Sequence, residues 1–238
     1  MSSDISKTFT KDNLDAYLKE LAKEFRRQNG KLMPAEIILV GGAAILVNYG
    51  FREMTADIDA IIHASSAMRD AISRVGDRFG LPKGWINTDF TKTASYSPEL
   101  TIHSRFYRTF YGVLNVRTVS AEYLIAMKLR SGRKYKNDFS DIVGILAEHE
   151  KNGSPVSMEQ IEKASCELYG SWAEIPEDSR CFIEGAMKGN AFRDLYNEIR
   201  NSEAEARTTL IEFDKRYPDT LGMANADEIL KSLKKRHN

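Results

Sequence analysis

The stretch from Ile37 to Ile62, IILVGGAAILVNYGFREMTADIDAII, constrains the fold more than any other part of this chain. An apolar run from Ile37 to Val40 stops at Gly41-Gly42, a short helical patch runs from Ala43 to Asn48, and Asp57 and Asp59 then sit inside a second apolar run. Short apolar runs bounded by glycine read as buried strands. Side chains alternate along a strand, so Asp57 and Asp59 point to one side while Ile58 and Ala60 point to the other. Two like charges about 4 Å apart repel by about 4 kcal/mol at an effective dielectric of about 20. A half-buried strand carries that repulsion where something cationic relieves it, and a hard divalent metal bridging to substrate phosphates does so.

Taken singly, each half has a plainer reading. Asp-Ile-Asp is a solvated strand end, and Gly-Gly is a tight strand-to-helix corner. Together they point to chemistry, because glycines after a strand let a phosphate approach the backbone and the next helix N-terminus attracts anions. Gly41-Gly42, a spacer of about a dozen residues and Asp57-Ile58-Asp59 resemble the signature of the DNA polymerase β-like nucleotidyltransferases. GGAAILVNYGFREMTADID, with its Arg52 and Thr55, is similar to the small bacterial branch that includes AbiEii-type toxins and minimal nucleotidyltransferases. The resemblance implies that Gly41 and Gly42 hold a nucleoside triphosphate and that Asp57 and Asp59 hold magnesium ions.

A second constellation lies in AMKLRSGRKYKNDFSDI, residues 126–142, where Lys128, Arg130, Arg133, Lys134 and Lys136 fall within nine residues. On a helix Lys128 shares the apolar stripe of Ala121 and Leu124, and Asp138 and Asp141 align with Ile142 and Ile145. Charges aimed at a core usually pair with something. One reading is an Asp cap beside a snorkelling lysine. The other places Lys128 on a triphosphate while residues 133–141 shape the pocket. The AbiEii-like branch carries a similar K-L-x-x-G-R followed by D-x-x-D, which implies functional roles for Lys128, Arg133, Asp138 and Asp141. That superfamily usually supplies a third carboxylate, the general base, from a neighbouring strand. Residues 112–120 (GVLNVRTVS) carry Asn115 and Arg117 instead, and Asp89 and Glu99 are the nearby acids.

Pattern predicts an α/β (α+β) fold: a small mixed sheet, flanking helices and a helical C-terminal region. Helices are expected over 10–28 (capped by Thr10 or Asp12), 66–79 (capped by Ser66), 120–129, 137–148, 157–169, 177–187, 190–216 and 225–235. Strands are expected over 36–40 and 56–62, with a short edge piece at 85–87 and a hairpin across 100–118. Gly153-Ser154-Pro155 marks a boundary between a nucleotidyltransferase-like domain, 1–153, and a helical domain, 154–238.

Composition narrows the function. Formal net charge is zero, so no global basic field draws in nucleic acid, and any polyanion contact is local. Cys166 and Cys181 form no disulfide framework, and four scattered histidines have no metal-ligand spacing. The polar N-terminus has no apolar leader, so the expected setting is cytoplasmic with no membrane contact. The leading expectation is a magnesium-dependent nucleotidyltransferase using Asp57, Asp59 and Lys128, with tRNA or a partner protein as acceptor and a toxin or antitoxin as partner. Two alternatives stand beside it. One is a non-catalytic nucleotide- or partner-binding module; the other is a small-molecule nucleotidyltransferase whose acceptor pocket is lined by Trp85, Tyr107 and Tyr111.

Overall fold

A computed structural model describes residues 8–189, 191–222 and 225–237. Residues 1–7 of the polar N-terminus, and residue 190 at the expected start of a C-terminal helix, lie outside the described residues.

Helix α1, Lys11–Asn29, starts where the Thr10 side chain accepts from the Asn13 amide and Asn13 returns a bond to the Thr10 backbone; Gly30 closes it. Its buried stripe, Leu14, Leu18, Leu21, Ala22 and Phe25, has the spacing of one helical face. Strand β1, Ala35–Leu39, leads into α2, Gly41–Asn48. Strand β2, Ile58–His63, is followed by α3, Ala67–Phe79, and the two-residue strand β3, Ile86–Asn87. Ser66 precedes α3 but makes no side-chain cap bond. The stretch read as a loop holds two short 3₁₀ turns, Asp89–Lys92 and Pro98–Thr101. Strands β4, Ser104–Phe110, and β5, Leu114–Val119, form the expected hairpin. It turns through Tyr111 (φ 49°) and Gly112 (φ 67°), two consecutive left-handed residues whose twist matches the flanking strands.

The sheet order is β3-β2-β1-β5-β4. Strand β1 pairs antiparallel with β2 and parallel with β5, which makes the sheet mixed. The architecture is therefore mixed α/β, with flanking helices and a helical C-terminal region. Strand β2 starts at Ile58 rather than 56, so Asp57 lies on the exposed approach and only Asp59 belongs to the strand. Two tethers set that start: Phe9 and Thr55 exchange backbone bonds of 2.8 and 2.9 Å, and the Ile58 amide donates to Trp85 O at 3.2 Å. The loop entering β2 is thus pinned from outside the sheet.

After β5 come α4, Ala121–Ser131, and α5, Asp138–Lys151. Then follow α6, Met158–Tyr169; α7, Glu177–Gly189; α8, Phe192–Arg216; and α9, Ala226–His237. Helix α4 packs on α5 and α6, and α5 packs along α8. Val156, Ile161, Leu168, Ile175, Ile183 and Phe192 belong to the same buried cluster as Ile38 and Val116. A smaller cluster joins Tyr135 to Ala206, Leu210, Ala226 and Leu230. Among the described residues no helix is long and apolar enough to cross a membrane.

This packing makes truncation informative. A 1–153 fragment uncovers the faces of α4 and α5 that α6 and α8 bury, and an uncovered apolar face of that kind favours association. The fragment is expected to be insoluble or molten, binding a hydrophobic dye and unfolding without a cooperative transition in urea. A soluble fragment with a sharp urea midpoint would show that the two parts fold independently.

Candidate active site

Four chain segments converge at one end of the sheet: the start of α2, the approach to β2, the 3₁₀ turn after β3, and the α4–α5 corner. Gly41 adopts φ +53°, a conformation that favours glycine, and a Cβ placed there would lie 3.7 Å from Asp59 Oδ2. Gly42 is needed for room instead. Its Cβ would come within 2.7 Å of Thr55 Oγ1 and 2.9 Å of Arg52 Nη2. The glycine pair therefore brings α2 against both the β2 carboxylate and the Arg52 side chain.

Burial, and after it the charge of Asp57, push the Asp59 carboxyl up to about 6 against the pull of Lys128 and Arg133; Asp89 adds a further negative charge. The same field contains both expected metal carboxylates, both expected cations and Asp89. Asp89 lies just past Asn87, which sits opposite Asp59 in the β2–β3 register. Its side chain is 77% exposed and pairs with Lys92 at 3.1 Å. Asn115 accepts from Thr109, and Arg117 donates to Ser104, so these two polar residues of β5 are engaged within the hairpin.

Lys128 does not snorkel. It is 8% exposed, with Nζ 2.8 Å from Asp138 Oδ1 and 2.8 Å from Asp141 Oδ2. Burial opposes its charge, yet Asp138 and then Asp141 hold the ammonium above the usual lysine range. Burial would likewise raise Asp138, but Lys128 and then Arg133 hold it down to about 2. Arg133 Nε donates to Asp138 Oδ2 at 2.8 Å while its side chain stays 35% exposed. Arg52 Nη1 reaches both oxygens of Asp141, at 2.8 and 2.6 Å. Asp138 and Asp141 thus hold the cations of the site. Lys134 is directed away, onto Asp178 of α7 at 2.9 Å.

Two participants have no assigned role in the sequence reading. Arg52 is there only part of a resemblance, and its grip on Asp141 emerges from the fold. Glu203 of α8 is 3% exposed and accepts from the Phe139 and Ser140 amides at 2.9 and 3.3 Å and from Ser140 Oγ at 2.5 Å. Its signal was present: Glu203 shares the stripe of Ile199, Ala206 and Leu210, the same anomaly that marks Lys128. Of the aromatic residues expected to line an acceptor pocket, Trp85 is a core residue, 2% exposed and donating to Ile72 O at 3.0 Å. Tyr107 donates to Asp15 at 2.9 Å.

A small mixed sheet with a Gly-Gly corner against Asp59, backed by the buried Lys128, is the arrangement that the nucleotidyltransferase resemblance implies. The chain belongs to the family described as a nucleotidyltransferase of unknown function (DUF6036), whose model matches residues 16–180. Curated proteins and solved structures yield no match to the chain.

The Asp59 environment has a pH signature. A carboxyl raised from 3.8 to about 6 in the folded state favours the protonated protein, so its contribution to stability is present at low pH and is lost as pH rises through about 6. Metal-free Asp59→Asn is therefore expected to melt higher than wild type at pH 7.5, by about 2–4 °C for a difference of about 1 kcal/mol. The gap should close by pH 4, and melting curves across pH 4–8 measure it. A gap independent of pH would contradict the charge origin.

Proposed function

We propose that this protein transfers a nucleotidyl group from a nucleoside triphosphate to an acceptor hydroxyl in a magnesium-dependent reaction. The observation that carries the reading is Asp59: a half-buried carboxylate crowded by Asp57, opposite a glycine whose missing side chain leaves its Oδ2 uncovered. Among the described residues no group of three or more His, Cys, Asp or Glu encloses a metal. Two carboxylates fit magnesium, which is commonly held by one or two acids together with substrate phosphates. When bound there, the metal would neutralise charge developing on the transferred phosphoryl group.

This chain's own residues do the rest. Gly41 and Gly42 let the triphosphate approach the first turn of α2. Arg133, partly exposed and acting on Asp59, faces the polyphosphate, while Lys128 supplies a fixed positive field from behind. Asp89 takes the proton of the attacking hydroxyl. The acceptor is an RNA such as tRNA, or a hydroxyl on a partner protein, and the setting is a cytoplasmic toxin–antitoxin or defence pair of the AbiEii-like kind.

Incubation with α-labelled nucleoside triphosphates, magnesium and bulk tRNA or cell protein tests this. Label should be transferred by wild type and fall about 10³-fold in Asp57→Asn and Asp59→Asn, a loss of several kcal/mol of transition-state stabilisation. Both variants should retain a cooperative melt. The second reading, a non-catalytic binding module, draws on the engagement of Lys128, Arg133 and Arg52 by Asp138 and Asp141. A magnesium-dependent nucleotide-induced rise in melting temperature without label transfer to any acceptor would favour it.

Lys128 and Lys134 separate positional from diffuse charge. Lys128→Met strips the partner from two buried acids, so it should cost about 3–5 kcal/mol in urea unfolding and weaken nucleotide binding. Lys134→Ala, on an exposed pair, should stay within about 0.5 kcal/mol and leave nucleotide affinity intact. Equal loss of affinity in both would mean the basic segment acts only as diffuse charge.

A further inference from the structure

Behind the α4–α5 corner, on the side of the helical C-terminal region, lies a cavity of about 310 Å³ between α5, α7, α8 and α9. Its size is at the lower end of the range typical of small-molecule sites. The walls are apolar, formed by Phe139, Phe182, Ile199 and Leu230, with the two phenylalanine rings edge to face at 4.5 Å. The buried carboxylate of Glu203 also lines it.

The polar groups around this cavity are unevenly satisfied. Glu203 Oε1 accepts from two backbone amides, whereas among the described residues Oε2 accepts from Ser140 Oγ alone, which leaves it a lone pair. At the rim both lysines are directed at one acid: Lys134 and Lys231 lie 2.9 and 3.9 Å from Asp178. Asp227 is left with a 3.4 Å contact from the Lys134 amide. Among the described lining residues three carboxylates, Asp178, Glu203 and Asp227, therefore stand against two lysines. A carboxylate beside two aromatic rings is the chemistry that recognises an ammonium group, by ion pairing and by cation–π attraction.

We propose that this cavity is a second binding site, distinct from the nucleotidyl site, for a small amphipathic amine: an apolar body in the Phe139–Phe182–Ile199–Leu230 enclosure and a primary ammonium on Glu203. Burial pushes the Glu203 carboxyl up to about 7, so an ammonium held there offsets the cost of its charged form. Glu203 also caps the first turn of α5, whose Asp138 holds Lys128 and Arg133. An occupant therefore bears on the same helical turn that orients the cations of the nucleotidyl site.

The test uses the full chain and three probes of one shape: 4-phenylbutylamine, 4-phenylbutanol and 4-phenylbutyrate. Calorimetry and thermal shift at pH 8 should show saturable binding of the amine with a Kd of about 1 mM or tighter, in line with the binding efficiency of a ligand this small. The alcohol and the acid should bind at least about tenfold more weakly. Glu203→Gln should remove the preference for the amine, and Ile199→Trp, which fills the cavity while keeping the Glu203 carboxylate, should weaken all three. Asp59→Asn should bind the amine as wild type does, so failure here is distinguishable from failure of the nucleotidyl reading. Equal affinity for the three probes, unchanged amine binding in folded Ile199→Trp, or no saturable amine binding would overturn the proposal. If Glu203→Gln does not fold, Ile199→Trp and the comparison of probes still decide.

Discussion

A lysine ammonium buried between two carboxylates holds the site end of the structure together. Lys128 comes from α4, Asp138 and Asp141 from the first turn of α5, and through those acids Arg133 and Arg52 are fixed as well. Taking such charges out of water costs several kcal/mol per ion unless geometry and hydrogen bonding are nearly complete. Here they are, with four contacts at or below 2.8 Å. The cluster is better understood as a device for position than for stability, since a well-packed apolar replacement of a buried pair is often as stable. What an apolar replacement lacks is a fixed field.

That field is unbalanced by design of the sequence. Three cations, Arg52, Lys128 and Arg133, face two acids, Asp138 and Asp141, leaving one surplus positive charge within the cluster. Around Asp59 the balance is reversed, because Asp57 and Asp89 add their negative charge to its own. Positive and negative surpluses stand opposite each other, and neither collapses onto the other because each cation is already tied to α5. Gly42 helps keep them apart. By leaving room for Thr55 and the Arg52 guanidinium, it lets the β2 loop reach Asp141 without displacing α2.

Much of this was legible in the sequence, and the reason is local. The Gly-Gly corner, the Asp57–Asp59 pair and the helix pattern follow from periodicity and from residues with restricted backbone or charge preferences, which neighbours in sequence express directly. The anomaly of Lys128 was legible too, as a charge on an apolar stripe, although its partners were not separable from a phosphate by spacing alone. The start of β2 was misplaced because a tether from Phe9, far away in the chain, ends the loop at Thr55. The partners of Arg52 and Glu203 are hidden for the same reason. Arg52 meets Asp141 across 89 residues and Glu203 meets Ser140 across 63, and no local pattern reports such pairings.

The first turn of α5 is where these distant contributions add up. A helix N-terminus carries unpaired amides and a partial positive charge, so it favours carboxylates. Asp138 and Asp141 use that position while turning their oxygens toward Lys128, Arg133 and Arg52, which leaves the Phe139 and Ser140 amides without a local acceptor. Glu203, arriving from α8, supplies it. Without that carboxylate the turn would bury two orphaned amides, each costing about 1–3 kcal/mol, and the acids that aim the cations would lose their support. The orientation of Lys128 and Arg133 therefore depends on α8, which makes that helix part of the electrostatics of the site.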